Sequence, residues 1–594
     1  MKSNFFINEL NIESTLARYN PSEDALDVLT YGRILSEKEK PQELLERIIA
    51  TLFSVETTFG TRLETINKMA EEFAESIVEG YVMPGTPTLT NAGRYETALS
   101  SCAVIPADLR DINYETEERI CSFYRQNMGG GFEFSRYDNP VSLLDQINEL
   151  SIKETATGNY DRYIGNMGLL HVSHSHIKEF IEAKRNKEVN HFNISIDVTS
   201  NFMRKAENGD LFVLSNGIEI EAAELLLLMA ESAWQSGEPG LVYLERMNKD
   251  NPIAEIHRYV STPPCAEMGL AEGETCIFGY INLRKLIKRK GTTSEIDYDK
   301  LRSITQLLTR VLDNAIEYSL PRYPIALSAH ISKMKRRMGI GVCGLAEMLI
   351  ALKLPYDSQE ARCTARDALS FINYISKCTS VELANQRGSC LAMNFPKLNK
   401  YLSGRYIEDK YAINPTRTVS AKDWEKLAKR IRSTRKLRNI STTGLPPTGR
   451  SSILLGVTTS IEPIFSIFDS KGTILSNITD FLSEEMGENR QLLKQICQEA
   501  ALTTSFQNVD VMPTPIRDCL KTAIEVSQAG HLQMIADLAG MHGVVDESAA
   551  KTINLPSWST INDIKDIFLS SYHLGLKNIS VYRDKSTFTQ PVRL

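Results

Sequence analysis

Apolar residues recur every three or four positions through residues 21–80, as in Leu44, Leu45, Ile48, Ile49, Leu52 and Phe53, with charged residues between them. That period places an apolar stripe along one face of each helix and predicts a helical N-terminal region over residues 1–82. Met83-Pro84-Gly85-Thr86-Pro87 is a turn sequence that closes it. Beyond this point the pattern changes. Short apolar runs at 98–105, 192–198, 240–243, 339–342 and 453–457 alternate with amphipathic helical stretches such as 222–236 and 358–386. Alternation of this kind predicts an α/β body with parallel strand pairing over residues 83–594. The Lys/Arg-rich stretch 414–438 reads as a solvated helix face followed by a loop.

Composition narrows the function classes. Of the 594 residues 42% are hydrophobic and 24% charged, the balance of an ordinary globular protein. A net charge of -7 gives no footprint for duplex DNA or an anionic membrane surface. No segment approaches the ~20 apolar residues of a spanning helix, and the first ten residues lack the apolar run of a signal peptide. Ten cysteines without a Cys-x-x-Cys pair suit a reducing compartment, so a cytoplasmic protein is expected. Their spacing matches no zinc pattern, and no metal site is expected.

Most cysteines in large proteins of this kind are inert, small hydrophobes. Three here stand in distinctive words. Cys265 lies in Pro-Pro-Cys-Ala-Glu, with a carboxylate two residues on at Glu267. Cys276 lies in Glu-Thr-Cys-Ile-Phe-Gly-Tyr, and Cys102 in Leu-Ser-Ser-Cys-Ala-Val. Other words follow in order: 83–93, Gly129-Gly130-Gly131, Arg336-Arg337-Met338-Gly339, Arg438-Asn439, Pro447-Thr448-Gly449-Arg450-Ser451-Ser452, Ser460-Ile461-Glu462-Pro463, 545–554 and 575–584. From the residues alone, the 447–452 word supplies a glycine, three hydroxyls and a cation, which suits a phosphate cradle at a helix start.

Taken together these words resemble the large subunit of ribonucleotide reductase over residues 20–586, and the two C-terminal words resemble its adenosylcobalamin-dependent branch. The resemblance implies a ten-stranded α/β barrel, two five-stranded parallel halves set antiparallel, with Cys265 on a finger loop threading the centre. It implies that Cys265 becomes a thiyl radical, that Glu267 is the general base on the 3′-hydroxyl, and that Cys102 and Cys276 deliver electrons and end as a disulfide. Thr86, Ser101, Gly130, Gly131, Pro263, Pro447, Thr448, Gly449, Arg450 and Ser451 fall at its substrate-contacting positions. A ribonucleotide substrate, adenosylcobalamin, a thioredoxin-like or small-thiol reductant and a homodimer are the implied partners. The alternatives are a divergent thiyl-radical enzyme acting on another nucleotide, and a catalytically silent nucleotide-binding homologue.

Some positions depart from the family pattern. Pro263 stands where the family has a ribose-holding asparagine, and proline offers neither a side-chain amide nor a backbone N–H. Arg450-Ser451 replaces the usual Thr-Ile of the phosphate word. The loop tied to allosteric effectors reads Gly158-Asn159-Tyr160-Asp161-Arg162-Tyr163 and keeps one arginine, so effector control is not expected. No ATP-binding cone precedes the helical region and no Cys-x-x-Cys ends the chain, so the expectation is that either a thioredoxin-like protein reaches the site directly or turnover differs from the family's.

Overall fold

The computed structural model describes residues 9–158, 161–185, 189–291, 293–469, 472–487 and 489–586. Its N-terminal layer is helical, with helices at Glu23–Tyr31, Pro41–Ser54 and Leu63–Val78. Ser22 caps the first, its hydroxyl accepting the Ala25 N–H, and Pro41 opens the second where a missing N–H costs nothing. The stripe read from the sequence is the buried one: Leu44, Leu45, Ile48, Ile49, Leu52 and Phe53 all face the core. This layer is pinned to the body by a buried carboxylate. Glu56 accepts from Arg310 at 2.9 Å and from Asn314 at 2.9 Å, both on the helix Tyr298–Ser319, and also pairs with Arg387.

The body is a closed barrel of two parallel halves. The strands Cys102–Val104, Gly129–Glu133, Asn166–His171, Phe192–Asp197 and Gly240–Val242 form the first half, all parallel. The second half runs from Thr275–Cys276 into Phe278–Asn282, then to Gly339–Cys343, to bridges at Thr443 and Leu445, to Ala549 with Thr552–Leu555, and to Asn578–Arg583. Antiparallel contacts join the halves at both seams, Cys102 opposite Cys276 and Leu241 opposite Ile579. Five strands in each half give the expected ten-stranded barrel.

Val82–Pro84 lies antiparallel to Phe278–Asn282. One reading is corrected. Residues 453–457 are not a strand, because Arg450–Leu454 is a helical turn and the barrel is completed earlier, at Thr443 and Leu445. A helical layer that the sequence pattern did not separate lies between them and the last strands. Ile464, Ile478, Phe481, Leu482, Ile496 and Phe506 close a small core of their own there.

Between the helix Leu244–Asp250 and the strand Thr275–Cys276 the chain enters the barrel as a finger loop. Ser261 and Leu270 pair antiparallel at its stem, with Leu270 N–H on the Ser261 carbonyl at 2.8 Å. Two interior clusters grip it. Met268 and Leu270 pack with Val104, Phe278 and Tyr280 on one side, while Tyr259 and Ala266 pack with Met167, Leu169 and Val242 on the other.

The family words outside the barrel mouth turn out to be structural. Arg336, Arg387 and Arg438 converge on Asp313 at 2.7–2.9 Å and, against the penalty of burial, hold its carboxyl well below the usual range. Glu462 of the Ser-Ile-Glu-Pro word pairs with the buried Lys551 of the 545–554 word. Arg337 donates to the Gly269 carbonyl at 2.7 Å and to Glu547 at 3.0 Å, tying the finger stem to the same C-terminal word.

Candidate active site

The finger tip is a tight turn. The Pro263 carbonyl accepts the Ala266 N–H at 3.0 Å, which puts Pro264 and Cys265 at its two central positions, and proline is pre-shaped for the first of these. Ala266 leaves the turn at φ 56°, a left-handed conformation that a non-glycine adopts at a cost of about 1–2 kcal/mol. Cys265 carries exposed surface, yet burial pushes its thiol well up. The two agree because solvent reaches the tip only inside the barrel, where protein surrounds it on the wider scale.

Close backbone approach makes room for this loop. A Cβ on Gly131 would lie 2.3 Å from the Thr262 carbonyl oxygen, and one on Gly129 would lie 3.1 Å from Pro264 and 3.2 Å from Cys102 Sγ. A Cβ on Gly130 would point to the opposite face and meet Asn166 Oδ1 at 2.7 Å. The triple-glycine word thus admits the finger loop at Gly129 and Gly131, and the outer packing at Gly130.

Cys102 and Cys276 are directly paired across the antiparallel seam, and both are buried. Residues so paired have Cα atoms about 4.5–5.5 Å apart, inside the range a disulfide needs. Both are free thiols, with the Cys276 thiol 3.7 Å from the Cys102 carbonyl. Cys102 is the more acidic of the two: a hydrogen bond from Cys276 and the nearby Arg162 guanidinium favour its thiolate, while burial drives Cys276 up. Ser101, just before it, donates its N–H to Cys276 and offers its carbonyl to Arg162 Nη1 at 2.8 Å.

Arg162 was expected in an effector loop. Asn159 and Tyr160 of that loop lie outside the described residues, but Arg162 itself turns into the site, its guanidinium close enough to Cys102, Cys265 and Tyr280 to interact electrostatically with all three. No spacing in the sequence announces this, since it depends on which way one loop side chain turns.

Glu267 is buried, and its Oε2 has no hydrogen-bond partner among the described residues. Burial, reinforced by the neighbouring Cys102, raises its carboxyl to about 8. Its carbonyl is held by the Ser548 N–H at 2.9 Å, and Oε2 is left to meet a ligand.

The phosphate word stands at the barrel mouth beside Thr86. Ser451 donates its hydroxyl to the Pro84 carbonyl at 2.9 Å, two residues from Thr86 at the start of the helix Thr86–Asn91. Gly449 is at φ 50°, the left-handed region in which a side chain would be strained, and Thr448 Oγ1 accepts the Ser460 N–H. Pro447 leads into this loop. Arg450 gives one N–H to the Gly32 carbonyl at 2.8 Å in the N-terminal layer, and besides burial it feels Arg162. The structure therefore gathers Thr86, Ser101, Cys102, Cys276, Cys265, Glu267 and residues 447–451 at one end of the barrel, with Pro263 buried in the finger.

A barrel-domain model of ribonucleotide reductase matches residues 135–582, and an all-alpha-domain model of the same enzyme matches residues 19–96. The chain belongs to the ribonucleotide reductase family. Its relatives include a vitamin B12-dependent ribonucleoside-diphosphate reductase of Thermoplasma acidophilum, 32% identical over 86% of this chain and 64% of that protein. A protein of the same name from Mycobacterium tuberculosis is 28% identical over 92% of this chain and 76% of the relative. The chain thus spans roughly two thirds to three quarters of the length of these relatives. The solved Actinobacillus ureae class Id ribonucleotide reductase alpha subunit superposes with a TM-score of 0.73 at 18% identity, over 95% of this chain and 98% of that one. That likeness concerns the fold.

A cavity of about 370 Å³ opens at the stem of the finger loop, lined by Tyr259, Met247, Asp250, Tyr411, Ser548 and Lys577 among others. Its floor is charged and buried: Lys410 and Lys577 both contact Asp250 at 2.7 Å. Ser548 bounds this cavity and also holds the Glu267 carbonyl, so the cavity and the candidate site share one residue.

Proposed function

We propose that this chain reduces ribonucleotides to 2′-deoxyribonucleotides through a thiyl radical on Cys265. One arrangement carries the reading: a finger-loop thiol inside a barrel, a directly paired dithiol in the wall, and between them a buried carboxyl with an unpartnered oxygen. The thiyl sulfur takes the ribose 3′-hydrogen, forming S–H and leaving a carbon radical. Glu267 accepts the 3′-hydroxyl proton as general base. The neighbouring 2′-hydroxyl, protonated by one thiol of the pair, departs as water. Cys102 and Cys276 together supply two electrons and two protons, and their sulfurs join. Cys265 then returns its hydrogen to C3′. The balance is one C–O bond reduced and one disulfide made.

The phosphates are assigned to the loop at 447–451, where the nearby guanidiniums of Arg450 and Arg162 favour an anion. Adenosylcobalamin, when bound, supplies the radical that removes the Cys265 thiol hydrogen. The stem cavity fits part of that cofactor: its volume is in the range that takes a nucleoside-sized group. Tyr259, Met247 and Ser548 would hold that part. The buried dithiol needs an external thiol reductant, thioredoxin-like or small, entering by the substrate end. Among the described residues no helix is long and apolar enough to cross a membrane.

Incubation with ribonucleoside di- or triphosphates, adenosylcobalamin and a dithiol tests the reading. Deoxynucleotide is the expected product, and Cys265→Ala abolishes its formation while nucleotide binding persists. Binding without deoxynucleotide under every such condition would leave the silent homologue as the better account.

A further inference from the structure

Asn193 and Cys265 both carry exposed surface, and the Asn193 side chain reaches the finger tip. Asn193 stands on the strand Phe192–Asp197 directly opposite Met167. Cross-strand partners point to the same face, and Met167 packs inside the barrel against the finger loop, so Asn193 points inward as well. Its Nδ2 donates to the Pro264 carbonyl at 2.8 Å, the carbonyl bonded to the Cys265 nitrogen. Apart from the Cys265 N–H, the tip is poor in donors. Pro263 and Pro264 have no N–H, and the Ala266 N–H is spent on the Pro263 carbonyl. A primary amide has two N–H groups and an acceptor oxygen. With one N–H anchored on Pro264, the amide is held at the tip, and its second N–H and Oδ1 have no hydrogen-bond partner among the described residues.

We propose that Asn193 binds the ribose 2′-hydroxyl of the substrate, the partner of the 3′-hydroxyl assigned to Glu267. The inference rests on the reductase reading above and adds the residue that recognises the group to be removed. A sugar placed with its C3′ hydrogen over Cys265 presents two vicinal hydroxyls. Glu267 is acceptor-only once ionised and serves one of them, and the amide, both donor and acceptor, suits the other. Pro263 and Pro264 offer no N–H for that contact, and the anchored amide from the barrel wall does.

The test is equilibrium binding of a ribonucleotide and its 2′-deoxy counterpart to the full chain and to Asn193→Ala, Asn193→Asp and the double variant Asn193→Ala/Pro263→Asn. The wild type should prefer the ribonucleotide. Both single variants should lose about tenfold of that preference, the worth of one hydrogen bond to a positioned hydroxyl, with affinity for the 2′-deoxy compound unchanged. An amide restored at 263 should recover part of the loss, and kcat/KM should follow the same order. A purely structural role would weaken both ligands equally. If the variants, folded with unchanged melting temperatures, keep the wild-type preference, the assignment of Asn193 is wrong while the reductase reading stands. If the wild type itself has no preference, both are wrong.

Discussion

Cys102 and Cys276, 174 residues apart in sequence, face each other across the one antiparallel seam where the barrel's first strand meets the start of its second half. Each half is internally parallel, so only a seam can set the ends of two such distant strands in direct register. The pair therefore records the topology as much as the chemistry.

From that pairing follows a chemical expectation. One turnover without external thiol should convert the pair to a disulfide, found as a Cys102–Cys276 cross-linked peptide with Cys265 still alkylatable. Cys102→Ser or Cys276→Ser should hold multiple-turnover deoxynucleotide formation to under about 1% of wild type, since a general-acid and electron-donating thiol is lost. Recovery of another cysteine in the cross-link would assign the electrons elsewhere.

Glu267 carries a pH signature. With its carboxyl raised to about 8, roughly a tenth is ionised at pH 7, so kcat should climb severalfold between pH 7 and 9. The sign for stability is opposite. A carboxyl whose folded-state pKa lies above its ordinary value stabilises fully below that ordinary value, and the contribution is lost as pH rises through about 8. Glu267→Gln should thus lower kcat by 100-fold or more and remove the fall in melting temperature between pH 6 and 9. A flat wild-type profile in both measurements would refute the assignment.

Much of this was legible in the chain. The 3.6-residue stripe at Leu44–Phe53 gave the helical layer, and the ordered family words gave the barrel and the three cysteines. What failed to show in sequence has a common cause. Residues 453–457 have the apolar composition of a strand but follow Gly449, whose left-handed turn starts a helix. Arg162 reads as a regulatory arginine until its side chain is seen against Ser101. Asn193 lies in an apolar run whose alternation marks it only as off the core face, and in a barrel that face is the interior. Side-chain direction inside a closed barrel is a tertiary fact that a linear pattern does not encode.

The finger loop depends on a missing side chain. Gly131→Ala would place a methyl 2.3 Å from the Thr262 carbonyl oxygen, a backbone atom that cannot rotate away. The loop must shift, and Cys265 with it. We expect a destabilisation of about 1–3 kcal/mol and loss of nearly all turnover. Gly165→Ala, where no neighbour lies within 4 Å, is the control and should change stability by less than about 0.5 kcal/mol. Equal effects of the two substitutions on the melting temperature would show that the close approach does not matter.

Arg162 is the charge that distinguishes the two thiols of the pair. Its Nη1 is fixed on the Ser101 carbonyl, next to Cys102, and together with the hydrogen bond from Cys276 it keeps the Cys102 thiol below its ordinary range. Arg162→Gln keeps a donor for that carbonyl and removes only the charge. Loss of a close opposite charge shifts a titration by about 1–3 units, so the thiolate absorbance of Cys102, read in a Cys265→Ala background, should move upward in pH by at least one unit. Arg162→Lys should restore much of the shift, because the positive charge returns without the planar fork. An unmoved Cys102 titration in Arg162→Gln would mean that the hydrogen bond from Cys276 alone sets the acidity of the pair.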